Sequence, residues 1–389
     1  MHLLAATPGV VSDGSDAVDL GQTPGDIVVL SAADTELAAL AAAQSRAGPE
    51  APSLRLANFL QLKHPMSVDV YVDGVIAHAR LVVVRLLGGA SYWPYGVEQI
   101  AAVCRRKGIS FAAVPGDDTP DPDLAQHGTL SSDDAHRLWQ YLVHGGPANA
   151  DNFLTYAATL IGRAADWAEP APLMTAGLYW PGADAPDLSV IQGFWKREAP
   201  VAAVTFYRAL IQSGNTEPVD SMIEALRQRG LNPLPLYIQS LKDTVSAGIV
   251  AQTLADVSPD VILNATGFAV STPGADRTET PFDAAGCPVL QTVFAATTED
   301  AWADGDTGLI ARDIAMNVAL PEVDGRVLTR AVAFKSEARF DDATQTAVVK
   351  HLPRRDRIDF AADLAAAWAR LAHKPVTDRR VAIVLANYP

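Results

Sequence analysis

The sequence predicts an α/β protein built from successive doubly wound, mainly parallel sheets with extra helices. Short runs of β-branched and aliphatic residues alternate along the chain with amphipathic or alanine-rich stretches of helical length. That alternation is typical of βαβ units, in which a helix crosses over between two parallel strands. The chain has 389 residues, of which 49% are hydrophobic, and this is enough for two or three domains with their own cores. The expected architecture is Rossmann-like.

An N-terminal α/β domain is predicted over residues 1–165. Its strands are expected at 27–31, 81–86 and 109–114, and its helices at 34–45, 97–107, 132–143 and 150–163. A linker is expected at 166–175, because Glu169-Pro170-Ala171-Pro172 places two prolines where neither a helix nor a central strand accepts them.

A second α/β domain is predicted over residues 176–378, where the alternation resumes. Its strands are expected at 176–180, 201–207, 233–237, 260–264, 288–293 and 328–334, and its helices at 219–229, 245–255, 312–318 and 359–372. Residues 379–389 begin with a run that is typical of the first strand of a further domain. A first strand forms no core alone, so we expect the chain to be the N-terminal part of a longer protein.

Composition excludes several classes of protein. Asp and Glu total 45 against 30 Lys and Arg, a formal charge of −15, and such a chain repels a phosphate backbone overall. The only two cysteines, Cys104 and Cys287, lie far apart and cannot build a disulfide framework or a cysteine zinc site. The N-terminus lacks the basic region of a secretory signal, and no apolar run approaches ~20 residues. We expect a cytoplasmic protein without a membrane span.

Nucleotide motifs are missing from the sequence. It contains no GxxxxGK[ST] loop and no GxGxxG after a predicted strand. If ATP drives the chemistry of this protein, another chain must hydrolyse it.

A glycine-aromatic loop follows the predicted strand at 81–86. It contains Gly88-Gly89 and then Tyr92, Trp93 and Tyr95. Open α/β sheets bind ligands at the carboxyl ends of their strands, and aromatic rings can cover a flat ligand. The same pattern equally suits aromatics that cap the sheet, and both interpretations stay open.

A second candidate is the turn that follows the predicted helix at 312–318. It carries two carboxylates, Glu322 and Asp324, and Arg330 and Lys335 follow in the next strand. Carboxylates in a turn can accept protons or hold a divalent cation. A plain turn capped by Asp324 is at least as consistent with the sequence.

These segments resemble the large subunits of aerobic cobaltochelatases, in the CobN/magnesium chelatase family. The resemblance runs from Met1 to the last residue, and the continuation after the turn is closer to the cobalt branch than to the magnesium branch. The segments that carry it are 12–15, 84–89, 92–99, 231–235, 260–266 and 311–335.

The resemblance implies a function. In this family the large subunit binds a metal-free tetrapyrrole and is where the divalent ion enters the ring, a ligase reaction that forms nitrogen–metal bonds. In the cobalt branch the ring is hydrogenobyrinic acid a,c-diamide, Co²⁺ is a substrate, and the pathway is aerobic cobalamin biosynthesis. Two smaller AAA+ subunits use ATP and Mg²⁺, which this chain is not expected to bind.

The resemblance also suggests roles for particular residues. Tyr92, Trp93 and Tyr95 are predicted to contact the ring, and Arg85 and Lys335 its carboxylate arms, since acidic arms call for cations. Glu322 and Asp324 are predicted to assist metal delivery or proton removal. No metal ligand is assigned. A downstream His-x-Gly-x-His-Gly-x-Leu-Glu pattern of the family has no counterpart here, so the fragment alone is expected to be inactive.

Three alternatives remain at this point. One is a magnesium chelatase H-type subunit that inserts Mg²⁺ into protoporphyrin IX. Another is a hinged two-domain protein that binds a small solute in its cleft. The third is a docking module that carries no chemistry.

Overall fold

The structure, a computed structural model, describes residues 17–336 and 339–385. Segment 12–15, one of those that carry the family resemblance, lies outside the described residues. In the described part, one parallel sheet and one mainly parallel sheet lie at the centre of two α/β units, and the predicted α/β fold class is confirmed.

The first sheet has the strand order β2-β1-β3-β4, and all its pairings are parallel. Its strands are β1 (Ile27–Ser31), β2 (Leu54–Asn58), β3 (Leu81–Leu86) and β4 (Ser110–Pro115). Its helices are α1 (Asp34–Ala47), α2 (Pro65–Gly74), α3 (Pro94–Lys107), α4 (Pro122–Ala125), α5 (Ser132–His144) and α6 (Pro147–Leu160).

Both faces of this sheet are buried. Alternate side chains such as Val29 and Val83 pack against α1, α5 and α6, and their neighbours Val28 and Val82 pack against α2 and α3. A parallel strand that is covered on both faces needs an unbroken apolar run, which is why β3 reads Leu-Val-Val-Val before its first charge at Arg85.

The second sheet has the strand order β13-β10-β9-β8-β6-β7-β5, with antiparallel strands at the two edges. Its strands are β5 (Ala176–Leu178), β6 (Val201–Tyr207), β7 (Asn232–Ile238), β8 (Val261–Asn264), β9 (Val289–Thr298), β10 (Val327–Lys335) and β13 (His351–Pro353). Strands β11 (Arg339–Asp341) and β12 (Thr346–Val348) form a separate hairpin.

Helices cover this sheet on both faces as well. One face packs on α9 and the long α14, whose alanines let it approach closely, and the other packs on α10. The helices of this half are α7 (Leu188–Gln192), α8 (Ala209–Ser213), α9 (Glu217–Gln228), α10 (Thr244–Val257), α11 (Glu299–Ala303), α12 (Ala311–Ile314), α13 (Leu320–Val323) and α14 (Arg355–His373). A π-helical turn over Ala315–Ala319 joins α12 to α13.

The β11–β12 hairpin of the second unit lies on the edge of the first sheet. The backbone N–H of Leu56 in β2 donates to the Thr344 carbonyl at 3.2 Å. The side-chain amide of Gln22 donates to the Gln345 carbonyl at 2.6 Å. An exposed strand edge is a site of unwanted pairing, so the hairpin covers β2 and ties the two units together.

The structure differs from the sequence expectations in several elements. Strand β2 and helix α2 were not predicted, because β2 carries Arg55 in its middle and so lacks an unbroken apolar run. The helix expected at 150–163 ends at Leu160; residues 161–175 contain neither helix nor strand, and the domain boundaries around them stay a prediction. The predicted C-terminal strand does not form over 379–385, where no described strand offers its backbone a partner; residues 386–389 lie outside the described residues.

No helix within the described ranges is long and apolar enough to cross a bilayer.

Candidate functional site

A cleft lies between the two sheets, at the carboxyl ends of their parallel strands. A cavity of about 260 Å³ is lined by residues that follow β1, β3 and β4, and by Arg208 after β6. A second cavity of about 140 Å³ is lined by residues that follow β6, β8 and β9. The two cavities share Thr35, Arg208, Gln212 and Gln239, so they form one continuous cleft.

Strand order explains this position. In the first sheet the chain winds in opposite directions on either side of the β1–β3 pair, and in the second sheet on either side of β6–β8. Loops leaving such a pair diverge to opposite faces of the sheet and leave a crevice, which is where doubly wound proteins bind ligands. Each cavity lies at one of these switch points.

A buried ion pair forms the floor of the larger cavity. Arg85 at the end of β3 pairs with Glu36 in the first turn of α1, and only 9% of each side chain is exposed. Arg85 also donates to the carbonyls of Gly116 at 3.1 Å and Leu142 at 3.2 Å. The second carboxylate oxygen of Glu36, Oε2, is buried and has no hydrogen-bond partner among the described residues.

Arg208 lies where the two cavities meet. Its Nε and Nη2 donate to the carbonyls of Met174 at 2.9 Å and Leu173 at 2.8 Å, which fixes the guanidinium in the cleft wall. Burial lowers the pKa of Arg208. Gln239 after β7 lies beside it, and within the described chain the Gln239 side-chain amide makes no hydrogen bond.

The smaller cavity contains a buried acid beside an exposed cation. Asp313 in α12 accepts the N–H of Ala296 at 2.9 Å and the side-chain amide of Asn317 at 3.3 Å. Burial raises the pKa of the Asp313 carboxyl above its ordinary value, and these hydrogen bonds oppose the rise only in part. Arg312 is exposed at the cavity and makes no ion pair or hydrogen bond with the described residues.

One strained backbone position lies at the smaller cavity. Phe268 has a φ of 61°, a conformation that costs a bulky residue free energy. Its N–H donates to the Met316 carbonyl at 2.7 Å, inside the π-helical turn. A Cβ on Gly267 would lie 2.7 Å from Oδ1 of Asn317, so only glycine fits there. Strained residues and π-helical turns are both frequent at functional sites.

Lys335 and His351 lie at the same edge of the second sheet. Burial lowers the pKa of Lys335, and the charges of Asp34 and Asp313 oppose that shift. His351 lines the smaller cavity, and its Nε2 donates to the Ala295 carbonyl at 3.2 Å. Burial lowers the pKa of His351 to about 4, and the positive charge of Lys335 contributes.

The predicted aromatic residues lie outside the cleft. Trp93 is 6% exposed; its ring stacks on Phe59 at 5.1 Å and its Nε1 donates to the Leu62 carbonyl at 3.0 Å. The Tyr95 hydroxyl donates to Asp69 at 2.8 Å, and this hydrogen bond raises its pKa. Tyr92 is exposed at an edge-on contact with Phe59. Trp93 and Tyr95 therefore pack against the core of the first unit, and Tyr92 lies exposed beside Phe59.

The two predicted carboxylates have different environments. Glu322 is exposed and bonds no described side chain. Asp324 is buried and accepts the N–H groups of Val270 at 2.8 Å and Ser271 at 2.9 Å, and Arg326 pairs with it at 2.7 Å. Burial alone would raise the pKa of Asp324, but the two N–H groups and the Arg326 charge hold it below the ordinary value. Asp324 thus anchors the loop after β8 and is unsuited to accept a proton.

Sequence reasoning missed Glu36, Arg208, Asp313 and His351. Arg208 had a usable signal, because it directly follows the buried run of β6. The other three come together only through the packing of distant segments. Over residues 17–336 and 339–385, no three His, Cys, Asp or Glu side chains lie together in a group that could hold a metal ion.

Comparisons with known proteins bear on this cleft. A family model described as CobN/magnesium chelatase matches residues 139–389. The aerobic cobaltochelatase subunit CobN of a Sinorhizobium species is 48% identical over 398 residues, which cover 100% of this chain and 31% of the relative. The subunit of the same name from Pseudomonas aeruginosa is 42% identical over 390 residues, with the same two coverages. The chain spans about a third of the length of these relatives.

A solved structure also matches. The catalytic subunit of cobaltochelatase from Mycobacterium tuberculosis superposes with a TM-score of 0.64 and 26% identity, covering 89% of this chain and 27% of that chain. The fold class and the family resemblance predicted from the sequence are confirmed. This chain belongs to the CobN/magnesium chelatase family.

Proposed function

We propose that this chain is the N-terminal part of the large, tetrapyrrole-binding subunit of an ATP-dependent aerobic cobaltochelatase. The complete subunit would insert Co²⁺ into hydrogenobyrinic acid a,c-diamide in cobalamin biosynthesis, as a ligase that forms nitrogen–metal bonds. The observation that carries this proposal is the identity of 48% and 42% to two subunits named aerobic cobaltochelatase, in each case over the full chain.

The cleft is the part of this chain best suited to the ring. A tetrapyrrole of this class carries carboxylate arms, and guanidinium groups bind carboxylates through charge-assisted hydrogen bonds. Arg208 and Arg312 line the cleft. Arg85 also lines it but is paired with Glu36, and Lys335, buried at the end of β10, stays a proposed contact. The cavities are smaller than the roughly 300–1,000 Å³ of pockets that enclose a drug-sized ligand. We therefore assign the cleft to side arms of the ring.

Metal insertion requires further groups. Two ring N–H protons must leave and Co²⁺ must lose water, tasks suited to carboxylates and imidazoles. Glu322 stays a proposed proton acceptor because it is exposed, and Gln at this position in the complete subunit is expected to reduce metallation. The bonds of Asp324 favour a structural role for it. Two AAA+ partner subunits would use ATP and Mg²⁺, in the cytoplasm, and this fragment alone is expected not to insert cobalt.

The test is an equilibrium titration of the chain with hydrogenobyrinic acid a,c-diamide, read by tryptophan fluorescence. We expect saturable quenching, with about tenfold weaker binding in Arg312→Gln, because that variant loses a hydrogen bond to a charged group. Arg197→Gln is the matched control, since Arg197 is exposed and lines neither cavity. No quenching, or equal affinities in all three proteins, would contradict the assignment of the ring to the cleft.

A second candidate function is suggested by the cleft itself. Two doubly wound units that face each other across a crevice also suit a hinged protein that binds a small solute.

Metal-free protoporphyrin IX, used as a comparison ligand, tests the magnesium alternative in the same titration. Tighter binding of that porphyrin than of the corrinoid would favour the magnesium branch.

A further inference from the structure

The unpaired oxygen of Glu36 is the starting point. Glu36 lines the larger cavity and a small side cavity next to Ser31. One oxygen pairs with Arg85, and the other, Oε2, is buried with no hydrogen-bond partner among the described residues. Arg85 makes no hydrogen bond to Oε2, because three of its other four N–H donors are held by the carbonyls of Pro115, Gly116 and Leu142.

Hydrogen-bond chemistry limits what can serve Oε2. A buried acceptor without a donor costs free energy, and most such groups in folded proteins have a partner. The charge of Glu36 is already balanced by Arg85. A further cation brought to this oxygen would have to lose its hydration against a neutral pair, whereas a neutral N–H donor gives up far less hydration to form the missing bond.

Neighbouring groups extend the site. The hydroxyl of Thr35 and the side-chain amide of Gln239 line the same cavity, and neither bonds any of the described residues. Arg208 has its Nε and Nη2 engaged with backbone carbonyls, and its Nη1 bonds none of the described groups. The cavity lining therefore includes one buried acceptor and several donors that bond no described group.

We propose that Glu36 is a specificity-determining residue that accepts a hydrogen bond from a primary carboxamide of the ligand through Oε2. The carboxamide oxygen is then received by the donors of Gln239 or Arg208. A carboxylate in the same position would place two anions together, and the site rejects it for that reason. This inference rests on the proposed function for the source of the amide, an amidated side arm of the ring. The other possible source is a free small carboxamide.

The test compares ligands that differ only in amidation. Hydrogenobyrinic acid a,c-diamide and hydrogenobyrinic acid are titrated against the chain, and free glutamine and glutamate serve as the small pair. We expect the unaltered chain to bind the diamide at least about tenfold more tightly than the acid, the value of one hydrogen bond to a charged group.

Glu36→Gln inverts the chemistry of this position. Its amide oxygen still accepts from Arg85, but its NH₂ group presents donors to the cavity where Oε2 was an acceptor. We expect the preference to reverse, with the acid bound more tightly than the diamide. Glu36→Asp serves as the test if Glu36→Gln does not fold. It keeps the charge but withdraws the carboxylate oxygens by one methylene, and we expect it to lose the preference for the diamide. Glu50→Gln, at an exposed position, is the matched control.

Each outcome decides the matter. Preference for the diamide that survives in a folded Glu36→Gln or Glu36→Asp protein overturns the role of Glu36 and leaves the proposed function standing; Oε2 is then served by solvent. A further outcome is that the chain binds neither corrinoid and yet prefers glutamine to glutamate, with this preference reversed in Glu36→Gln. That result supports the carboxamide site and overturns the ring as its ligand. Binding of none of the four ligands overturns both.

Discussion

At the scale of single residues, charged side chains near the cleft have two kinds of role. Asp324 and Arg85 use nearly all their hydrogen-bonding capacity inside the protein. Arg312 and Glu322 are exposed and bind no described group. The residue types alone do not separate these roles, because the sequence around a carboxylate in a turn is the same whether or not its oxygens accept hydrogen bonds from the protein.

The role of Asp324 as an anchor predicts a loss of stability on neutralisation. Asp324→Asn leaves Arg326 buried without its counterion and removes an acceptor from the N–H groups of Val270 and Ser271. We expect the free energy of unfolding to fall by about 3 kcal/mol, measured by urea denaturation. Glu322→Gln, two residues away and exposed, is expected to change it by less than about 0.5 kcal/mol. Equal effects of the two substitutions would rule out the anchor.

His351 predicts a pH dependence of stability. Its pKa is about 4 in the folded protein and about 6.5 in an unfolded chain, so the folded state binds fewer protons between these values. The free energy of unfolding therefore rises with pH through this window, and His351 contributes about 3 kcal/mol to the rise. The penalty is fully present below pH 4 and absent above about 6.5.

The measurement is urea denaturation of the unaltered chain and of His351→Gln across that pH range. The difference between the two proteins isolates the contribution of His351. The substitution is expected to reduce the slope of the free energy of unfolding against pH. His78→Gln, at an exposed position, should leave the slope unchanged. An unaltered slope in His351→Gln would show that the imidazole is not held neutral.

At the scale of elements, the cleft is built from strand ends and the turns that follow them. The π-helical turn at Ala315–Ala319 and the loop after β8 touch through Gly267, where a side chain has no room. This contact fixes the position of Arg312 and Asp313 at the carboxyl ends of β8 and β9.

Glycine substitutions test that contact. Gly267→Ala is expected to cost about 1–3 kcal/mol of stability, because its Cβ meets Asn317 and the Met316 carbonyl, and to weaken ring binding by displacing Arg312. Gly248→Ala, in the middle of α10 with open space around it, is expected to stabilise the protein by up to about 1 kcal/mol. The measurements are denaturation and the fluorescence titration. Unchanged stability and unchanged ring binding in Gly267→Ala would show that the turn is free to move.

Sequence patterns predicted elements far better than the site. Strands buried on both faces, such as β3 and β6, show as unbroken apolar runs and were predicted with their observed bounds. Strand β2 was missed because Arg55 interrupts its run, although the arginine is satisfied by carbonyls of the chain around it. Trp93 was predicted to contact a ligand because a loop aromatic and a core aromatic look alike until the packing of Phe59 is known.

At the scale of the whole molecule, the two units share one cleft. The hairpin β11–β12 and the contact of α8 with α1 join the units, and the switch points of both sheets open into the space between them. A ligand that bridges Glu36 and Arg312 therefore contacts both units. Sequence reasoning raised a ligand in a cleft between two domains only as an alternative, and it did not identify the residues that line the cleft, because no local pattern tells how two successive sheets face each other.

Hydrogen–deuterium exchange of the chain, with and without hydrogenobyrinic acid a,c-diamide, tests the location of the ring most directly. If its side arms occupy the cleft, backbone exchange slows in segments 33–37, 207–213, 265–268 and 312–317, which come from both units. Exchange in 90–95, the aromatic part of the glycine-aromatic loop, stays unchanged. Slowing confined to 90–95, or no slowing at a concentration that saturates the fluorescence change, would contradict the assignment of the ring to the cleft.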